Sequence, residues 1–228
     1  MSLYAIGDLH LSLDSDKPMN IFNGWDDYTE RLESNWKSAV KDDDTVVIAG
    51  DVSWAVGLEN SFKDLQFVNS LPGKKIILKG NHDYWWATKT KIEKFFAANS
   101  FDTLNILFNN FFQYENIGIC GTRGWVSIDG DTENEKVMAR EVQRLETSIK
   151  GAVQAGLTPV VFMHYPPVYG NSCNYDILDV LFRYDIKDCY YGHIHGYSQR
   201  NAVTGIQDGI NYRMISSDYL QFMPFKVL

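Results

Sequence analysis

Residues 3–10 read LYAIGDLH, a short apolar run that ends at Gly7, Asp8 and His10. The same arrangement recurs four times along the chain, at TVVIAGD (45–51), KIILKGN (75–81), PVVFMH (159–164) and CYYGH (189–193). Short apolar runs bounded by glycine are typical of buried strands. Ligand sites in open α/β sheets lie just beyond the carboxyl ends of the strands, so these polar side chains are expected to converge.

Segments with helical character separate these strands, at 27–40, 58–69, 86–98 and 133–156. A second group of strand candidates lies at 104–108, 117–120, 212–215 and 220–225. Alternating strands and helices followed by extra strands predict an α/β fold with two β-layers flanked by helices. Since no repeat, low-complexity stretch or linker divides the chain, residues 1–228 are predicted to form a single domain.

Composition and charge argue against several classes of protein. The 228 residues are 45% hydrophobic, and no apolar run approaches the roughly 20 residues that span a bilayer. The first ten residues, MSLYAIGDLH, lack a basic region followed by an apolar stretch, so no secretory signal is predicted and a cytoplasmic location is expected. A net charge of −8 disfavours non-specific binding to long nucleic acid. Cys120, Cys173 and Cys189 lack CxxC spacing and are interpreted as small buried residues.

All five histidines lie inside short polar signatures: His10 in GDLH, His82 in GNHD, His164 in MHYPP, and His193 and His195 in GHIHG. Neutral imidazole is the commonest side-chain metal ligand. The same signatures add oxygen ligands from Asp8, Asp51 and Asn81. A mixed nitrogen and oxygen set of this size is enough for two divalent ions.

The GNHD signature also carries residues suited to proton transfer. Asn81 offers a neutral carbonyl oxygen, His82 can move a proton, and Asp83 can orient or polarise that histidine. Each signature alone is a weak signal, but five of them, each after a predicted strand, are improbable as independent accidents.

Residues that contact substrate are harder to identify. Arg123 follows a predicted strand in GTRGW and can form a two-point contact with phosphate, or serve as a structural arginine in a glycine-rich turn. Aromatic residues that flank the signatures can stack on a base or an aryl group, or belong to the core: Trp54, Tyr84, Trp85, Trp86, Tyr165 and Tyr197.

The combination of GDLH (7–10), GD (50–51), GNHD (80–83), His164 and GHIH (192–195) resembles the calcineurin-like metallophosphoesterase superfamily, from residue 7 to residue 196. The resemblance implies two β-sheets packed as a sandwich and flanked by helices, in four layers α-β-β-α. It also implies a dinuclear metal centre that hydrolyses phosphoesters, with Mn, Fe, Zn or Co as the metals.

The resemblance further implies a role for each signature residue. The first ion would be held by Asp8, His10 and His195, and the second by Asn81, His164 and His193, with Asp51 as the bridge. Two cations neutralise the phosphate and turn a water into the attacking hydroxide. His82, oriented by Asp83, is expected to protonate the leaving oxygen.

One branch of that superfamily fits poorly. Protein serine/threonine phosphatases resemble GDxxDRG followed by GNHE, whereas here the second signature reads GDVSW (50–54) and the third ends in Asp83. The chain resembles the small prokaryotic-type phosphohydrolases and phosphodiesterases, so a small or medium-sized phosphodiester is expected to be preferred over a phosphoprotein.

Two alternative functions remain open from the sequence. A non-catalytic, metal-binding scaffold for protein interaction would have no need of His82 beside a complete ligand set. A nuclease would be expected to carry a basic track rather than a net charge of −8.

Overall fold

The computed structural model of the protein describes residues 1–125 and 132–228. In chain order, its elements in these ranges are β1 (Leu3–Ile6), α1 (Tyr28–Ala39), β2 (Thr45–Ile48), α2 (Phe62–Ser70), β3 (Lys74–Ile77), α3 (Lys89–Ala98), β4 (Leu104–Ile106), β5 (Phe112–Tyr114), β6 (Ile117–Thr122), α4 (Thr132–Gln154), β7 (Thr158–Met163), β8 (Val168–Tyr169), β9 (Ser172–Cys173), α5 (Tyr175–Arg183), β10 (Asp188–Tyr191), β11 (Gly205–Gln207), β12 (Ile210–Met214) and β13 (Phe225–Lys226). Short 3₁₀ turns at Glu59–Ser61 and Gly196–Asn201 complete them.

Two mixed sheets form the centre of the molecule. The first has the order β13-β1-β2-β3-β4, in which β1 to β4 are parallel and β13 is antiparallel to β1. The second has the order β11-β12-β10-β7-β6-β5, with a parallel centre and an antiparallel strand at each edge. A small hairpin of β8 and β9 stands apart from both sheets.

Alternating side chains on each strand produce the layers. Leu3 and Ala5 of β1 point into a core shared with the second sheet, where the rings of Phe162 and Tyr190 stack at 5.0 Å. The other face of the first sheet packs on α1, α2 and α3, and the other face of the second packs on α4 and α5. The predicted four-layer α-β-β-α sandwich is therefore confirmed.

Parallel register aligns the strand ends at one edge of the sandwich. Ile6 pairs with Ile48, which pairs with Ile77, so the three signature loops of the first sheet begin at the same level. The backbone of Gly7 also pairs with the segment after β12: its N–H donates to Ile215 O at 2.7 Å. This pairing joins the carboxyl ends of the two sheets.

The predicted strand at 220–225 is wrong except for its last residue. Gln221 and Phe222 both have positive φ, of 53° and 62°, and turn the chain instead of extending it. The Phe222 side chain is fully buried against Trp25 and Tyr28, so this apolar residue fills space in the core without forming a strand. Among the helices in the described ranges, none has the length and hydrophobicity to cross a membrane.

Candidate metal centre

Sharp turns follow the strands that lead into the signatures. Asp8, His10, Asp51 and His193 all have left-handed backbone conformations, with φ of 60°, 47°, 51° and 72°. Non-glycine residues rarely adopt this conformation, and strained residues of this kind cluster at functional sites. The strain turns their side chains toward the junction of the two sheets.

Two glycines allow these loops to pack against each other's carboxylates. A Cβ atom added to Gly80 would overlap Asp51 Oδ1, and one added to Gly192 would overlap Asp8 Oδ2. Any other residue would push the loop away from the carboxylate. The glycine in each signature is thus required by close approach of backbone to ligand.

Asp8, His10 and His195 form a first group of potential ligands. The Nε2 atoms of the two histidines lie 3.3 Å apart, and His195 Nε2 is 3.5 Å from Asp8 Oδ1. All three donor atoms lie within 4.8 Å of one another, although β1 and β10 supply them from different sheets.

A second group lies beside the first. His164 Nε2 is 2.6 Å from Asn81 Oδ1 and 3.4 Å from Asp51 Oδ2, while its Nδ1 lies 3.0 Å from Ala49 O. The contact with a backbone carbonyl favours a proton on Nδ1, which leaves Nε2 as the ligand atom. Asp51 Oδ2 is also 3.7 Å from His10 Nε2, so one carboxylate oxygen faces both groups.

The His193 ring lies next to the second group. It contacts the His164 ring at 5.0 Å and the Tyr165 ring at 4.2 Å between centroids. Its backbone N–H donates to both Asp8 oxygens, at 3.0 and 2.9 Å, and so connects the loop after β10 to the loop after β1.

Burial controls the charge of the centre. Burial, reinforced by the negative charge of Asp83, raises the pKa of Asp51 to about 7 against the opposing effect of His164. Burial also lowers the pKa of His193 to about 3 and that of His10 well below its usual value. Carboxylates and imidazoles packed this closely are the donor set of transition-metal sites, and a cation would satisfy lone pairs that face each other.

Asp218 is a functional candidate that the sequence analysis missed. Its Oδ1 accepts a hydrogen bond from His195 Nδ1 at 2.9 Å, and its Oδ2 accepts from Gly196 N and Gln199 Nε2 at 3.0 and 2.8 Å. Although burial acts against it, the hydrogen bonds to Asp218 and Asp8 raise the pKa of His195 to about 10. A carboxylate on the far nitrogen fixes the orientation of a metal-binding imidazole.

Asp83 does not orient the His82 ring as predicted. Its buried carboxylate accepts hydrogen bonds from donors of two signature loops: Asp51 N, Val52 N, Ser53 N, Gly80 N and Trp85 Nε1. These five acceptor contacts occupy both of its oxygens, because the carboxylate sits under the loops. Asp83 is therefore a positioning residue that holds Asp51 in place.

His82 is half-buried at the side of the first group. Its ring lies 4.3 Å from the Trp54 ring and 5.7 Å from the His10 ring, and Tyr84 Oη is 3.4 Å from its Nδ1. Its backbone N–H donates to Asp51 Oδ1 at 2.7 Å. Burial lowers the pKa of the His82 ring.

Of the other residues considered in the sequence, Trp54 lines the metal centre, whereas Trp85 and Arg123 make structural contacts. Trp54 stacks on His10 at 5.0 Å and forms a wall of the centre, whereas Trp85 is buried and bonded to Asp83. The Arg123 guanidinium lies 3.5 Å from Glu141 Oε1 and 4.4 Å from the centre of the Trp125 ring. These contacts favour the structural interpretation of Arg123, and its contact with phosphate stays a prediction.

Comparison with known proteins agrees with this geometry. Residues 1–197 match the sequence model of the calcineurin-like phosphoesterases. A search of curated proteins gives no match. Among solved structures, the phosphopantetheinyl hydrolase PptH from Mycobacterium tuberculosis is similar with a TM-score of 0.57 and 16% identity, over 100% of this chain and 95% of that one.

Two further structures share the fold. A protein of unknown function from Aquifex aeolicus has a TM-score of 0.51 and 17% identity, over 99% of this chain and 95% of that one. A protein from Thermus thermophilus has a TM-score of 0.53 and 9% identity, over 85% of this chain and 81% of that one. Identities this low establish the fold alone.

The hydrogen bonds of Asp83 predict that replacing this residue destabilises the folded protein whether or not metal is bound. Asp83→Asn places an amide NH₂ against buried N–H donors, so we expect the free energy of unfolding to fall by about 1–3 kcal/mol. Denaturation in urea with a chelator present measures this, with Asp43→Asn on the surface as control. Unchanged stability would mean that Asp83 does not hold the loops.

The contact of Asp218 with His195 predicts a loss of metal affinity. Asp218→Asn should weaken the affinity for one ion by about 10–100-fold, because the imidazole loses the partner that orients it. Titration against a chromophoric chelator measures the affinity of each ion, and Asp185→Asn on the surface should leave both unchanged. Equal loss in the two variants would contradict an orienting role for Asp218.

Proposed function

Since the chain belongs to the calcineurin-like phosphoesterase family and is a metal-dependent phosphohydrolase, we propose that its substrates are small or medium-sized phosphodiesters, hydrolysed at a two-metal centre. In this proposal Asp8, His10 and His195 would hold one ion. Asn81, His164 and His193 would hold the other, and Asp51 would be shared by both.

The position of the Asp51 carboxylate is the observation that carries the proposal. Its Oδ2 is 3.7 Å from His10 Nε2 in one group and 3.4 Å from His164 Nε2 in the other. A single buried oxygen between two imidazole nitrogens is suited to serve two cations at once. The Asp83 carboxylate fixes the backbone around it by accepting from four N–H groups, including that of Asp51 itself at 2.9 Å.

In the proposed reaction, bound metals and protein side chains have different roles. Two bound cations would supply charge neutralisation for the phosphate and a water of lowered pKa. His82 stands beside the first group and can give a proton to the departing oxygen, while Tyr84 contacts its other side through Nδ1 at 3.4 Å. Trp54, against both His82 and His10, keeps water away from one side of this arrangement.

The preference for diesters is supported by charge and by the surroundings of the centre. The signature at 50–54, GDVSW, lacks the arginine that protein phosphatases carry there. A diester has one negative charge fewer than a monoester, and it presents a second organic group that aromatic side chains can contact. One structurally similar protein is a phosphopantetheinyl hydrolase, and a phosphopantetheinyl ester is therefore added to the substrates to be tried.

A panel of substrates and metals tests the proposal directly. Metal-free protein is loaded with Mn, Fe, Zn or Co and assayed on alkyl and aryl phosphodiesters, phosphomonoesters, phosphopeptides and a phosphopantetheinyl serine peptide. We expect turnover of diesters to exceed that of phosphopeptides under the best metal. Faster turnover of phosphopeptides would contradict the proposed substrate class.

Removal of the bridge should affect both ions. Asp51→Ala is expected to lose more metal than His10→Ala, because Asp51 faces both groups and His10 belongs to one. Elemental analysis of the purified variants gives the number of ions per chain. If Asp51→Ala retains two ions, Asp51 is not the bridge.

Removal of the proton donor should depend on the leaving group. His82→Ala is expected to keep its metals and lose about 10²–10⁴ in rate on alkyl phosphodiesters. The loss should be much smaller on p-nitrophenyl esters, since p-nitrophenolate leaves without a proton. Equal losses on both substrates, together with loss of metal, would make His82 a ligand or a structural residue.

A further inference from the structure

A second feature adjoins the metal centre on the side of His193. It is a cleft of about 820 Å³ between the loop after β7, the β8–β9 hairpin, the start of α5 and the segment 193–198. His193 and His195 of the metal centre line it, together with Trp125, Tyr169, Cys173 and Tyr175. Its volume is in the range of pockets that bind small organic molecules.

Away from the two histidines of the metal centre, the described lining of the cleft is polar but carries no charged side chain. Among the described residues that line it, there is no Lys, Arg, Asp or Glu; proline and aromatic surfaces alternate with amide, hydroxyl and thiol groups. Apart from the two histidines, which belong to the metal centre, a phosphate or carboxylate on the bound group would find no cationic partner among these described residues. The chemistry of these side chains suits a neutral group with hydrogen-bonding atoms and an apolar face.

The walls of the cleft are held in place by hydrogen bonds. Tyr169 Oη donates to Ser198 O at 3.0 Å, and Gly170 N donates to Asn201 O at 2.9 Å, so the hairpin is fastened to the 3₁₀ turn after His195. The cleft is thus built before any ligand arrives, and its geometry is tied to a metal-ligand loop.

His82 and the cleft are formed by different residues, so each is suited to contact a different ester group of a diester. The His82 ring contacts Trp54 and Tyr84, whereas the cleft is lined by His193, whose ring packs on Tyr165. His82, Trp54 and Tyr84 are not among the residues that line the cleft, whereas His193 and His195 are. If the leaving group takes its proton from His82, the ester group that stays on phosphorus is the one that can enter the cleft.

We propose that this cleft binds the retained organic group of a phosphodiester, and that this group is uncharged. The inference rests on the proposed function. Water adds to phosphorus, the bond from phosphorus to the leaving oxygen breaks, that oxygen takes a proton, and a phosphomonoester of the retained group is released.

Cys173 makes the cleft selectively addressable. It is the half-exposed cysteine, whereas Cys120 and Cys189 are buried, and burial raises the pKa of the Cys120 thiol to about 12 and raises that of Cys189 as well. A bulky maleimide should therefore react at Cys173, and not at Cys120 or Cys189, and occupy the cleft.

The test compares two p-nitrophenyl diesters on metal-loaded protein before and after labelling with fluorescein maleimide. Thymidine 5′-(p-nitrophenyl phosphate) carries a neutral nucleoside, and methyl p-nitrophenyl phosphate carries a group too small to reach the cleft. Labelling should reduce kcat/KM for the thymidine ester by about tenfold or more, mainly through KM, and change the methyl ester little. A 3′-phosphate on the thymidine ester should remove its advantage over the methyl ester.

Two variants serve as controls. Cys173→Ser should make the enzyme insensitive to the label, and Thr147→Cys in that background places the same label on the exposed face of α4, where neither substrate should be affected.

Tyr175→Ala, at a side chain that is 77% exposed on the rim, should raise KM for the thymidine ester alone.

The outcomes distinguish this inference from the proposed function. If the protein hydrolyses both esters and labelled Cys173 slows them equally or not at all, the cleft does not bind the retained group and the phosphodiesterase function stands. If the 3′-phosphorylated ester is the better substrate, the retained group is not uncharged. If no diester is hydrolysed with any metal, the proposed function itself fails.

Discussion

The burial of two carboxylates at the junction of the sheets is the constraint on which the rest of the site depends. Asp8 and Asp51 are 0% and 1% exposed, and a buried carboxylate without partners is very costly. Each is supplied with backbone donors: His193 N–H for Asp8, and His82 N–H for Asp51. The glycines at positions 80 and 192 let these donors come close. The remaining lone pairs face imidazoles, which is the arrangement that a cation stabilises.

Much of the fold and of the ligand set could be predicted because the signal is local. Short apolar runs predicted β1, β2, β3, β7 and β10 at nearly their observed bounds, since a strand buried on both faces needs apolar residues at every position. The histidines stood out because each follows such a run. The helix α5 was missed, although Asn174 caps it and accepts a hydrogen bond from Ile177 N.

The roles of Asp83 and Asp218 could not be predicted from the sequence, because they depend on tertiary contacts. Asp83 follows His82 directly in the sequence, yet the turn places its carboxylate under the loops, where it accepts hydrogen bonds from backbone N–H groups. Asp218 lies 23 residues after His195, beyond a pair of strands. A signal existed: Ser216, Ser217 and Asp218 follow the apolar end of β12, as the other signatures follow their strands. Only the register of β12 beside β10 shows that they reach the same edge.

Both sheets contribute residues to the proposed metal centre, and this couples metal binding to the docking of the two sheets. Loops of the first sheet supply Asp8, His10, Asp51 and Asn81, and loops of the second supply His164, His193 and His195. Ions held by these residues would join two layers that are otherwise held by apolar packing and by the backbone pairing at Gly7. Ions that bind only when the layers are docked stabilise the docked state in proportion to the logarithm of their concentration over the dissociation constant. In the proposed site, metal binding and the docking of the two sheets are therefore linked, so a mutation that loosens the junction is expected to weaken metal affinity even where it touches no proposed ligand.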